Sequence, residues 1–406
     1  MSAKLQNVPK LRFPEFSGAW EDLEFSDFLN PNFREVLTPN FNYLSIGIRS
    51  HGRGTFQKPD SDPAKIAMET LFLVKTDDLI VNITFAWEGA IAIAKPEDEG
   101  GYVSHRFPTY EFRRSLMVPN FFRFVIDQKR FRKQLELISP GGAGRNRVMS
   151  KPAFIKLAYP LPKPPEQKKI ADFLGAVDAK LAALRESQKL LQDYKKGLMQ
   201  KLFSQALRFT RDDGTAFPDW EERKLGEVAS ILKGKGISKS DIVVSGKTPC
   251  IRYGELYTDY GEVIANINSR TDAPKSELLF SLANDVIIPA SGETHLDMAR
   301  ASCVLSSGVA LGGDLNIIRS KIYGVFLAYY LSNAKKIEIA TLAQGNSVVH
   351  LYGAQLKGLP ISVPHPDEQR KIADALCALD AKIAAVSAQI DKMTLFKKGL
   401  LQQMFV

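Results

Sequence analysis

The side chains of this chain that could do chemistry do not assemble into a catalytic pattern. Residues 245–248 read SGKT, the end of a phosphate-binding loop, but the first glycine of GxxxxGK[ST] would fall at Asp241. Asn30-Pro31-Asn32-Phe33 comes near the Asn-Pro-Pro-aromatic motif that holds a target amino group for methylation. Its third residue is Asn and no glycine-rich cofactor loop follows a strand nearby, so a turn is predicted there. Pro59-Asp60, Glu69 and Lys75 lack the close spacing of two-metal phosphodiester cleavage. His51, His105, His295, His350 and His365 are scattered, without HExxH or a His/Cys cluster. Cys250, Cys303 and Cys377 stand far apart, which supports neither a zinc site nor a disulfide framework and fits a reducing compartment. No catalytic residue, metal or cofactor is expected on this chain.

What the chain does carry is a repeat. Residues 166–203, EQKKIADFLGAVDAKLAALRESQKLLQDYKKGLMQKLF, recur as 368–405, EQRKIADALCALDAKIAAVSAQIDKMTLFKKGLLQQMF, with half of the aligned positions identical. FPEFSGAWEDLEF (13–25) opens the first half as FPDWEERKLGEV (217–228) opens the second. Between these signals lie two stretches, roughly 29–157 and 230–360, that do not resemble each other. Both are rich in short β-prone runs broken by Gly, Pro, Asn and Asp. Strands are predicted at 43–48, 70–74, 79–83 and 90–94, then at 250–256, 285–289, 303–307 and 315–319; helices are predicted at 118–138 and 324–342.

Prolines in LAYPLPKPPEQ (157–167) and LPISVPHPDEQ (359–369) precede each repeated helix, where the first turn tolerates them. Within the helices apolar residues advance by alternating steps of four and three. Ile170, Leu174, Val177, Leu181, Leu184, Leu191, Leu198 and Leu202 form one seam; Ile372, Leu376, Leu379, Ile383, Val386, Ile390, Met393, Leu400 and Met404 form the other. That period predicts a coiled coil. Lys195 and Lys397 interrupt the seams, either snorkelling outward or setting the register by excluding alternatives. A chain that runs out along one helix and back along its copy makes an antiparallel pair, and 38 such residues span roughly 57 Å.

The 406 residues, 45% hydrophobic and 24% charged, leave room for two or three domains with real cores. The predicted fold class is α+β: two globular mixed α/β domains joined by two long helices in an antiparallel coiled coil, with pseudo-twofold symmetry. Its boundaries are 1–160 for the first domain, 161–205 for the first helix, 206–362 for the second domain and 363–406 for the second helix. A net charge of +9 suggests an anionic partner. A twice-written chain suits a bipartite DNA site. The N-terminus lacks an apolar core of signal-peptide length and the longest apolar run, 325–331, is too short to cross a bilayer, so a cytoplasmic protein without membrane contact is expected.

The sequence resembles the specificity subunits of type I restriction-modification systems over nearly its whole length. The resemblance rests on VPKLRFPEFSGAWE, the PxxEQxKIAxxLxxxDAKIA start of each long helix, the KKGLMQKLF and KKGLLQQMF ends, and RDDGTAFPDWEERKLGEV. In the middles it rests on VNITFAWEGAIAI, GGYVSHRFPTYEF, CIRYGELYTDYGEVI, IIPASGETHLDMARASCVL, GVALGGDLNIIR and LAQGNSVVHLY. The family implies a non-catalytic DNA-binding subunit whose two target-recognition domains each read half of an interrupted site. Its helices would fix the gap and dock two modification (methyltransferase) subunits, which bring S-adenosylmethionine; restriction (endonuclease/translocase) subunits would bring ATP and Mg chemistry.

On that reading, bidentate side chains read base edges and other basic residues grip phosphates. Polar residues beside glycines, where backbone can approach a duplex, are the candidates. They are Arg49, Arg53, Lys58, Arg145 and Arg147 in the first domain, and Lys233, Lys235, Lys239, Arg252, His295, Arg300, Asn346, Ser347 and His350 in the second. Two rivals remain open from sequence: a stand-alone DNA adenine methyltransferase, which would bind S-adenosylmethionine by itself, and a helical-hairpin adaptor, which would not recognise DNA.

Overall fold

A computed structural model describes residues 7–141, 147–345 and 348–406. The chain divides into two compact units, Met1–Arg185 with Ala388–Val406, and Glu186–Ser387. The predicted boundaries cut between domains and helices, whereas the contacts give each unit one domain plus part of both long helices, Pro164–Phe203 and Pro366–Gln403. The reason is packing, because an amphipathic helix buries its apolar stripe on whatever core lies beside it.

In the first unit a two-stranded antiparallel sheet pairs Glu21–Glu24 with Ala158–Leu161, so the two ends of the loop-rich middle meet just before the long helix. Between those strands lie two larger sheets. One orders Leu29–Pro31, Thr109–Phe112, Leu79–Val81 and Ile91–Ile93; the other orders Glu35–Leu37, Thr70–Leu73, Tyr102–Val103, Tyr43–Ile48 and Thr55–Ser61. Phe25, Phe28, Phe121, Phe122, Phe131 and Phe154 fill the core. The same core takes Ile170, Leu174, Val177 and Leu181 from the start of the first long helix, and Leu400 and Met404 from the end of the second. The helices therefore run antiparallel in this unit.

The second unit repeats the plan with other residues. Glu221–Lys224 pairs with Pro360–Val363, and between them a five-stranded sheet orders Ala229–Lys233, Leu315–Ser320, Asp285–Pro289, Ser302–Val304 and Val263–Ile264. Here Leu198 and Leu202 from the end of the first long helix share a core with Ile372 and Leu376 from the start of the second. Leu184 and Leu379 are buried, and Leu191, Ile383, Val386, Ile390 and Met393 half-buried. No seam position is exposed.

The repeated letters have repeated jobs. Glu166, buried, accepts from Arg12 Nε and Nη2 at 2.8 Å each and from Trp20 Nε1 at 3.4 Å. Glu368 accepts from Arg208 Nε at 3.1 Å and Nη2 at 2.8 Å, and from Trp220 Nε1 at 3.2 Å. Gln167 and Gln369, also buried, accept from the backbone N–H groups of Val118 and Tyr323, at the starts of helices Pro119–Ile126 and Gly324–Asn333. A helix start leaves N–H donors unsatisfied, and a fixed amide oxygen answers one of them. The two middles, unlike in sequence, thus share a helix docked on the frame by the same glutamine.

Several local expectations need correction. The helix predicted at 118–138 is two, Pro119–Ile126 and Lys129–Leu137, because Gln128 is extended and lets Phe121 and Phe131 reach one core from different directions. That at 324–342 breaks after Asn333 and resumes at Lys336. The strand predicted at 250–256 stops at Ile251, where Glu255 Oε2 accepts from the Arg252 N–H at 2.6 Å and starts the helical turn Glu255–Thr258. Asn30-Pro31 is no turn but the end of an edge strand, a place where proline's missing N–H costs no ladder bond. SGKT runs into the strand Thr248–Ile251, so the helix that a phosphate loop requires does not follow.

Candidate nucleic-acid interface

Lys195 and Lys397, the polar interruptions of the seams, each find an aspartate of the facing helix. Lys195 Nζ lies 2.6 Å from Asp380 Oδ1 and over the Tyr329 ring at 5.0 Å, and Tyr329 donates to the same carboxylate. Lys397 Nζ lies 2.7 Å from Asp178 Oδ1, which also faces Arg123 at 2.9 Å through Oδ2. Neither lysine snorkels free. A one-turn slip of either pair would strand a half-buried charge, so the residues that weaken the seam also fix its register.

In the first domain the structure brings Arg49, Arg53 and Lys58 onto one hairpin. Strands Tyr43–Ile48 and Thr55–Ser61 turn through His51–Gly54, with His51, Gly52 and Gly54 at positive φ. The tip docks on a neighbouring turn through His51 N–H to Glu88 O at 2.8 Å and Gly52 N–H to Gly89 O at 2.9 Å. Arg49 Nη1 donates to Thr55 O at 3.0 Å while its guanidinium covers the Phe56 ring at 5.0 Å; Lys58 Nζ sits over the same ring at 5.4 Å. Arg53 is exposed at the tip. Arg147 is engaged otherwise, paired with Glu136 at 3.3 Å and laid over Trp87 at 5.2 Å. Arg145 lies outside the described residues.

The second domain divides its candidates into groups. Lys233 and Lys235 flank Gly234, whose missing side chain lets the strand end cross Gly312; a Cβ there would stand 1.9 Å from Gly312 O. Gly312 in turn packs on Arg252, which gathers Lys233, Lys235 and Arg252 around one crossing. His295, Arg300 and His350 form another group, since the turn His295–Ala299 adjoins the paired strands Ser291–Gly292 and Val349–His350. Arg300 covers Tyr257 at 5.6 Å and His350 stacks on Tyr352 at 6.2 Å. Lys239 is exposed on the turn Lys239–Asp241. Asn346 and Ser347 lie outside the described residues. Gly234 and Gly312 thus serve close approach of chain to chain.

Burial pushes the Cys250 thiol up to about 11 and the Cys303 thiol to about 12, which makes both inert packing residues at neutral pH. Sequence reasoning missed the Trp20 and Trp220 contacts to the buried glutamates, although both tryptophans stand in the repeated opening segments. No helix among the described residues is long and apolar enough to cross a membrane.

A helical frame written twice, holding two dissimilar β-rich modules that present arginine and lysine on glycine-bounded loops, defines a DNA-recognition protein. The family description "Type I restriction modification DNA specificity domain" matches residues 33–192 and 218–394. The chain is 24% identical over 418 residues to the MjaVIII type I restriction enzyme specificity subunit of Methanocaldococcus jannaschii, covering 96% of this chain and 92% of that one. A second subunit of that organism, named for the MjaX enzyme, is 27% identical over 417 residues, 98% of this chain and 95% of the other. In structure it is similar to a type I restriction-modification S subunit from M. genitalium, with TM-score 0.59, 16% identity, and coverage of 98% of this chain and 99% of that one. The chain belongs to the type I restriction-modification DNA specificity family and is a specificity subunit with two DNA-recognition domains.

Proposed function

We propose that each recognition domain reads one half of an interrupted DNA site and that the long helices set the gap between the halves and dock two modification subunits. Restriction subunits join that assembly. The chain itself is non-catalytic and works in the cytoplasm, while S-adenosylmethionine, ATP and Mg belong to its partners. The observation that carries this reading is the frame built twice from the same contacts, Glu166 with Arg12 and Trp20 in one unit and Glu368 with Arg208 and Trp220 in the other, around two unlike modules. Equivalent frames give equivalent docking surfaces for two copies of one partner, and unlike modules give unlike half-sites.

The gap tests it. Four residues inserted into the middle of each long helix add about 6 Å of rise, close to two base pairs at roughly 3.4 Å each. The site mapped from methylated adenines is expected to keep both half-sequences and widen between them. An unchanged gap would remove the helices from the role of spacer.

Within the first domain, the braced Arg49 has the fixed fork that base reading needs, while Arg53, exposed at the hairpin tip, suits a phosphate. Arg53→Ala is expected to weaken binding evenly across sequences and to lower the slope of log K against log salt by about one. Titration of the assembled complex at several salt concentrations reads this directly. A change of base preference without a change of slope would assign Arg53 to a base instead.

A further inference from the structure

The hairpin that carries Arg49 and Lys58 is also one wall of a cavity that the DNA reading leaves unused. The pocket, about 580 Å³, is lined by Lys58 and other residues of the five-stranded sheet of the first domain, together with Asn82, Phe85, Glu88 and Phe107 beside it. Its aromatic lining comes from Tyr43, Phe56, Phe85, Tyr102 and Phe107. Phe56 lies across Gly47, where a Cβ would stand 2.3 Å from the ring, and the charges of Arg49 and Lys58 sit over that ring. The charge of Lys58 therefore stands at the pocket wall, where it can meet a phosphate flanking an inserted group while Arg49 reads a base edge.

Two polar side chains of the pocket are held in place with a group to spare for a ligand. Asn82 Oδ1 accepts from the Thr84 N–H at 3.1 Å, and no hydrogen bond engages its Nδ2 among the described residues. Ser50 donates to Glu88 Oε2 at 3.0 Å, which leaves Oε1 as an acceptor. A flat ring whose edge sets an N–H donor beside an acceptor matches that pair, and its faces match the aromatic walls. The Watson–Crick edge of a nucleobase has that character once the base is unpaired.

We propose that this pocket receives one unstacked base of the bound half-site, taken from the duplex rather than from a free nucleoside, and that Asn82 and Glu88 hold its edge. The inference rests on the first domain being a DNA reader. Sequence recognition in this domain then includes the cost of unpairing a base as well as groove contacts, and that cost falls when the base is already unpaired.

The test uses the full chain assembled with its modification subunits and duplexes bearing its methylation-mapped site, with single mismatches scanned through the half-site that follows the first domain. Ordinary mismatches weaken binding. At one base other than the methylated adenine, a mismatched partner is expected to tighten binding roughly tenfold or more, because the unpairing is already done. Ser104→Trp, which fills the pocket, removes that gain while specific binding persists, and the milder Phe85→Leu reduces it. If binding is specific but every mismatch weakens it, the pocket proposal is overturned and the reading of the domain stands. Loss of all sequence-specific binding in the unaltered complex sinks both. Calorimetric uptake of adenosine, cytidine, guanosine or thymidine without any mismatch gain replaces the duplex base by a free nucleoside and also overturns the proposal.

Discussion

Exchange of residues 29–157 for the corresponding stretch of another specificity subunit is expected to move methylation at one half of the recognised site and leave the other half unchanged. The reason lies in where the cuts fall. Leu29 opens the strand Leu29–Pro31, whose partner Thr109–Phe112 travels in the same segment, so that ladder is exchanged as a unit. Leu157 precedes the strand Ala158–Leu161, whose pairing with Glu21–Glu24 stays behind in the frame. The Glu166 clamp to Arg12 and Trp20 also stays, and Gln167 meets the incoming domain only through backbone groups of the kind that Val118 and Leu116 present. Any domain that offers a helix start at that point satisfies the glutamine, as Tyr323 does for Gln369. Specific and non-specific DNA binding commonly differ by ~10³ to 10⁷, so the original half-sequence should fall to background rather than weaken slightly. Genome-wide mapping of methylated adenines before and after the exchange reads the result. A change in both halves, or in neither, would mean that the domains do not read separately.

The frame was legible in the amino-acid sequence because it is written twice, and repetition separates letters with a job from letters without one. Glu166 and Glu368, Gln167 and Gln369, and Asp178 and Asp380 recur at matching places, and each proves to hold another part of its unit. The heptad step located the seams, yet it could not show that Lys195 and Lys397 meet Asp380 and Asp178. That meeting depends on the axial register of an antiparallel pair, which sidechain period alone leaves free. The modules were harder to read. Their strands are short, and the run at 250–256 looked extended because Ile251 and Leu256 are apolar, while the decisive residue was Glu255, whose carboxylate binds the Arg252 N–H and bends the chain. Glycines marked loops correctly but not what approaches them; Gly234 needs its bare Cα for Gly312. The aromatic pocket had no sequence signal, since Tyr43, Asn82 and Tyr102 come together only through the order of strands in a sheet.

The second large effect concerns what holds the frame. Glu368 is fully buried, and its carboxylate is met by a bidentate arginine, Arg208, and by the indole N–H of Trp220. Donating to the Glu368 carboxylate raises the pKa of Arg208 further above its already high value, so the guanidinium stays charged at every pH the folded protein meets. Glu368→Ala deletes the acceptor, leaves the indole donor facing a void, and leaves Arg208 to the Phe217 and Pro218 carbonyls and the exposed Asp219. Breaking one side of a buried pair typically costs about 3–5 kcal/mol, and for a unit of this size that corresponds to roughly 6–20 °C in Tm. Glu368→Gln keeps the shape and an acceptor oxygen but not the charge, and should fall between the two. The exposed pair Lys371–Asp212, with the aspartate fully in solvent, is the internal control: Asp212→Ala should shift Tm by no more than about 1 kcal/mol would. Calorimetric melting of the three variants beside the unaltered chain decides the matter. Were Glu368→Ala to melt with Asp212→Ala, the clamp would be a surface decoration, and the repeated glutamate would need a different explanation, one outside the stability of the frame.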